Sequence, residues 1–79
     1  MESPAATAFG KALKRLRNER AMSQYALANA AEIDRIHVSR LERGLRSPNL
    51  ETMLALARGL RVSLAELSVA IEVELAANS

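Results

Sequence analysis

Phe9, Leu13 and Leu16 recur at three-to-four spacing with Lys11, Lys14 and Arg15 elsewhere on the turn, which predicts a first helix over about Ala6 to Arg20. Pro4 limits that helix upstream. Ser23 is placed to cap a short second helix from Gln24 to about Ala31, with Leu27, Ala28 and Ala31 facing inward. A tight turn at Glu32 and Ile33 follows, and Asp34 caps a third helix to about Arg43, which Gly44 stops. After a loop carrying Arg46, Ser47 and Pro48, Asn49 caps a fourth helix. Its apolar side is expected to hold Leu50, Met53, Leu54, Leu56 and Ala57, and it ends near Gly59 and Leu60. Ser63 with Glu66 three residues on is a capping-box pattern, opening a fifth helix to about Ala76.

The fifth segment carries two apolar faces. Leu64, Leu67, Ile71 and Leu75 form one stripe, and Val69 and Val73 lie nearly opposite, separated from it by Glu66, Glu72 and Glu74. Two readings compete. Either a second copy of the chain packs on Val69, Val73 and Ala76, or the helix has one broad core face and two stray valines. Composition supports the helical picture. Hydrophobic residues make up 49% of the chain and aromatics only 3%, so Leu, Ala, Ile, Val and Met must build the core. With 79 residues the expectation is one all-α domain over 1–79, a compact five-helix unit.

Several chemistries fall away. There is no cysteine and one histidine, which leaves no disulfide framework, thiolate site or imidazole cluster, so no metal is expected. No nucleophile–base pair, pocketed carboxylate cluster or phosphate-binding glycine loop is visible; neither enzyme activity nor a cofactor is expected. No sensor pocket is evident, so no small-molecule ligand is expected either. No apolar run approaches the roughly 20 residues that cross a bilayer, and Met1 to Gly10 lacks the pattern of a signal peptide, which reads as a cytoplasmic chain. Charge is unevenly placed. Residues 1–46 hold nine Lys or Arg against five Asp or Glu, whereas residues 47–79 hold two against four. The first part suits a polyanion.

The segment 24–43 has small or apolar residues where two helices crossing steeply need them: Leu27, Ala28, Ala31, Ile33, Val38 and Leu41. Such a unit buries one side of the third helix and frees the other to enter a DNA major groove. Here the chain resembles the Cro and lambda-repressor class of helix-turn-helix domains, often called the XRE class. The resemblance runs from about Leu13 to Leu67. It is carried by Leu-Lys-Arg-Leu-Arg at 13–17, Met-Ser-Gln at 22–24, Leu-Glu-Arg-Gly at 41–44, Ser-Pro-Asn-Leu-Glu-Thr at 47–52 and Val-Ser-Leu-Ala-Glu-Leu at 62–67. Ile-Asp-Arg at 33–35 and the fifth helix also look like the controller proteins of bacterial restriction-modification systems. The resemblance implies a transcriptional regulator that binds a palindromic double-stranded operator as a homodimer. An antitoxin or other protein-interaction module on the same fold is the alternative.

The resemblance further implies that Arg17 pairs with Glu42, locking the first helix to the third. It makes Glu32 a departure, since the family often has Gly at that turn position, where the backbone prefers positive φ. At about 100° per residue, Val38 and Leu41 face the core while Ile36, Ser39, Arg40 and Arg43 lie opposite, with Arg35 and His37 flanking the first turn. Arg35, Ile36, His37, Ser39 and Arg40 are therefore the candidate base readers. Arginine can grip guanine O6 and N7, and Ile36 suits a thymine methyl. Phosphate contact or a solvated helix face competes for Arg35 and Arg40, ordinary exposed apolar surface for Ile36, and a plain surface position for His37. Resemblance assigns Ser23, Gln24, Arg43 and Arg46 to the DNA backbone, although likeness to the controller proteins alternatively sends Arg46 into a groove, and Tyr25 either joins the backbone set or is a partly packed surface aromatic. Lys11, Lys14 and Arg15 are read as solvating charges.

Overall fold

The computed structural model describes residues 3–77, so the outer ends of the expected 1–79 domain, residues 1–2 and 78–79, lie outside the described residues. Five helices appear in order: α1 (Pro4–Glu19), α2 (Gln24–Ala31), α3 (Arg35–Glu42), α4 (Leu50–Leu60) and α5 (Leu64–Ala77). Side chains cap the starts as the sequence suggested. Ser23 Oγ accepts from Ala26 N–H, Asp34 Oδ1 from Ile36 N–H and Asn49 Oδ1 from Thr52 N–H. Ser63 and Glu66 form a reciprocal box, with Glu66 N–H donating to Ser63 Oγ at 3.0 Å and Ser63 N–H to Glu66 Oε1 at 3.1 Å. α1 begins earlier than expected. Ser3 caps it and Pro4 is its first residue, where a missing N–H costs no intrahelical bond.

The first four helices end alike. After α1, Met22 N–H reaches Arg17 O and Ala21 N–H reaches Asn18 O; the same pair of bonds closes α2 through Ile33 and Glu32, α3 through Leu45 and Gly44, and α4 through Val62 and Arg61. This ending requires a left-handed residue. Gly44 supplies one at φ 73°, but Ala21, Glu32 and Arg61 adopt φ of 52°, 58° and 61° with a Cβ in place. The position where the resemblance marked Glu32 as a departure is thus left-handed, at a cost of roughly 1 kcal/mol. Its ion pair with Arg58 is long, 3.9 Å, and solvated. Glu32→Gly is therefore expected to raise the thermal midpoint by about 4–8 °C for ~1 kcal/mol. An unchanged melt would show that the turn carries no such strain.

One core joins all five helices. Leu13, Leu27, Val38, Leu41, Leu56, Leu60 and Leu67 are fully buried, with Phe9 and the small Ala12, Ala28, Ala31 and Ala57 between them. α1 packs along α5 and across α3, while α2 packs on α3 and α4. Gly10 and Gly59 permit the close approaches. A Cβ on Gly10 would stand 2.4 Å from the Leu41 carbonyl oxygen, and one on Gly59 would stand 3.1 Å from Ala31 N.

Three expectations are corrected. Leu50 and Leu54 do not face the core; they are exposed, because the inward stripe of α4 runs through Met53, Leu56, Ala57 and Leu60 and leaves those two leucines outside it. Leu75, assigned to the inner stripe of α5, is also exposed, since it lies in the last turn beyond the main core. Arg15 is more than a solvating charge. It is half-buried against α5, with Nη1 3.6 Å from Glu74 Oε2 and Nη2 donating to the Ala70 carbonyl at 3.5 Å.

Candidate nucleic-acid interface

α3 is anchored on one side only. Val38 and Leu41 are fully buried, and the opposite side presents Arg35, Ile36 and Arg40, with Arg43 at the cap and Arg46 on the following loop, all exposed. Ile36 is 50% exposed. His37 and Ser39 are half-buried at the edges of this face. The structure thus groups the expected base readers on one surface, with Arg35, Ile36 and Arg40 the more accessible.

The start of α2 flanks that surface. Ser23 Oγ is engaged in capping, which uses an acceptor lone pair and leaves its hydroxyl hydrogen for another partner. Tyr25 is exposed and is not a packed aromatic. Together with Arg35, Ile36 and Asn29 it lines a hollow between α2 and α3. Asn29 was not singled out from the sequence. Only the hollow, formed when the two helices cross, brings it beside Arg35 and Ile36.

Behind this surface lies the ion pair. Glu42 Oε2 accepts from Arg17 Nε at 2.6 Å, and Oε1 accepts from Arg17 Nη2 at 3.0 Å, a two-point grip on a carboxylate whose side chain is only 3% exposed. Arg17 Nη1 donates to the Met22 carbonyl at 2.8 Å. The hydrogen bonds to Glu42, reinforced by its charge, outweigh burial and raise the Arg17 pKa above its ordinary value. Gln24 joins them, its Nε2 donating to Glu42 Oε1 at 3.0 Å. That third partner was not legible from the sequence, because Gln24 and Glu42 meet only once α2 has turned back over the end of α3.

Among the described residues, no helix is long and apolar enough to cross a membrane. The helix-turn-helix family pattern matches residues 13–67. Control protein C.MunI of a Mycoplasma species is 37% identical over 67 residues, covering 84% of this chain and 90% of that protein. Among solved structures, the restriction-modification controller protein C.AhdI of Aeromonas hydrophila superposes with a TM-score of 0.76 at 37% identity, over 78% of this chain and 94% of that one. The controller protein C.Esp1396I, solved as a tetramer in complex with its natural 35 base-pair operator, gives a TM-score of 0.89 at 27% identity, over 95% of this chain and 99% of that one. A third helix anchored on one side, a buried Arg–Glu lock and these similarities agree: the chain belongs to the helix-turn-helix family, among its restriction-modification controller proteins, which are DNA-binding regulators of transcription and not enzymes.

Proposed function

We propose that this controller protein acts as a homodimer on a two-fold repeat in double-stranded DNA, with α3 of each copy in a major groove. The observation that carries this reading is the one-sided burial of α3, which leaves Arg35, Ile36 and Arg40 outward between the flanking Arg43 and Arg46. In this reading Arg35 and Arg40 bond base edges, and Ile36 packs on a thymine methyl, with His37 and Ser39 at the margins. Ser23, Gln24, Tyr25, Arg43 and Arg46 hold the backbone. Arg35→Ala is expected to relax preference at one base pair of each half-site. Arg43→Ala should weaken all sequences alike and flatten the salt dependence by about one phosphate's worth. Unchanged binding by both variants would show that α3 does not lie in the groove.

Val69 and Val73 on α5 are 58% and 49% exposed, and Ala76 is exposed on the next turn. These residues support a second copy packing on that face. Val73→Asp is expected to give a monomer by sedimentation with helical content retained; a wild-type chain already monomeric at high concentration would count against the dimer. Selection from random duplexes at several salt concentrations tests the whole reading. Enrichment of a two-fold repeat, its half-sites spaced by about one helical turn or a multiple, supports it. No enrichment even at low salt would favour a protein partner.

A further inference from the structure

Glu42 serves three donors with two oxygens: Arg17 Nε on Oε2, and both Arg17 Nη2 and Gln24 Nε2 on Oε1. With Nη1 of the same guanidinium on the Met22 carbonyl, the end of α3, the body of α1 and the entry to α2 converge on one buried pair. Arg17 and Glu42 are inside, whereas Gln24 is half-buried and stands at the first position of α2. Gln24 is therefore the part of the network that reaches the surface.

We propose that Glu42 is a positioning residue for DNA-backbone binding, its carboxylate holding the Gln24 carboxamide so that the second hydrogen on Nε2 meets a phosphate oxygen. The inference rests on the reading of Gln24 as a backbone contact. A carboxylate only accepts hydrogen bonds, so it selects the nitrogen end of the carboxamide and forbids the flip that would turn the amide oxygen to its place. One of the two amide hydrogens is committed to Glu42, and the other has no partner among the described residues. Arg17 neutralises Glu42, so a phosphate can stand close by without facing an uncompensated negative charge. The side chain is also ordered before DNA arrives, which removes part of the entropy lost on binding.

The test uses the full chain and the duplex enriched by the selection above, with single neutral methylphosphonate linkages placed in turn along each strand. Wild type, Gln24→Ala, Gln24→Asn, Glu42→Gln, Arg43→Ala and Arg46→Ala are compared at concentrations corrected for the folded fraction. One linkage is expected to cost the wild type about tenfold in affinity while costing Gln24→Ala nothing further. Glu42→Gln should lose that same penalty and keep the penalties that Arg43→Ala and Arg46→Ala abolish. Gln24→Asn, one methylene too short to span carboxylate and phosphate, should behave as Gln24→Ala; it leaves the ion pair intact and keeps the inference open to refutation if Glu42→Gln does not fold. A folded Glu42→Gln that keeps the penalty, or loses all penalties evenly, overturns the inference, and so does a Gln24→Asn variant that keeps it. If Arg43 and Arg46 map to phosphates and Gln24 maps to none, DNA binding stands and the inference falls. If no duplex is enriched, the functional reading itself has failed.

Discussion

Gly10→Ala is expected to lower the thermal midpoint by roughly 15 °C or more, a loss of about 3 kcal/mol in a domain of this size. In a solvated helix the same change would gain about 1 kcal/mol, because alanine is the better helix former. Here the sign reverses. The added Cβ would lie 2.4 Å from the Leu41 carbonyl oxygen and 2.7 Å from that of Glu42, both backbone atoms at the end of α3 that no rotamer change can move. α1 and α3 would have to separate, tilting the helix that carries Arg35, Ile36 and Arg40. Gly59→Ala is the internal comparison, since its nearest atoms stand at 3.1–3.3 Å and include the pliable Leu27 side chain. Thermal melts of both variants decide it. A Gly10→Ala protein as stable as wild type would mean that α1 and α3 do not approach this closely.

Glu42→Ala is expected to cost about 3–5 kcal/mol, the usual loss when one partner of a buried ion pair is removed. Arg17, with its side chain only 11% exposed, would keep its charge and lose both bonds to the carboxylate. Most of that loss is the cost of a stranded charge. Replacing both partners, as Arg17→Met with Glu42→Leu, should therefore recover a large share of it. Double-mutant melts measure this, and a double variant as weak as Glu42→Ala would contradict it. The raised Arg17 pKa gives the sign of the pH effect. Its stabilisation is complete below the unfolded-state value and is lost only as pH rises through the still higher folded one, so Arg17 does not release the lock near neutrality.

The helix order and most starts were legible because Ser23, Asp34, Asn49 and Ser63 are short polar residues standing just before apolar periodicity, and their capping bonds are local. The outward face of α3 was legible because Val38 and Leu41 mark the side that is buried. α4 was less clear. Apolar residues surround it, so periodicity alone gave no reason to turn Leu50 and Leu54 out. Arg15 was misread because Glu74 and Ala70 lie more than fifty residues away, and such pairing is a property of packed helices. Gly10 carries no such mark in the sequence; its meaning is the distance to another helix. At the interface, composition and spacing indicated which side chains face outward, while the carboxylate beneath Gln24 emerged only from the fold.

Three of the first four helices stop on a left-handed residue that carries a side chain: Ala21, Glu32 and Arg61. At roughly 1 kcal/mol each, every such ending raises the equilibrium share of open chains about fivefold, and the three together raise it on the order of a hundredfold. Proteolysis in a cell follows that share when opening and closing are fast. A chain with these endings is thus degraded sooner than one with glycine at each, although both fold to the same five helices. For a regulator, the backbone at its turns is then expected to help set how quickly its level falls once synthesis stops, which a protease-cleavage rate compared with that of a variant carrying glycine at all three endings would measure.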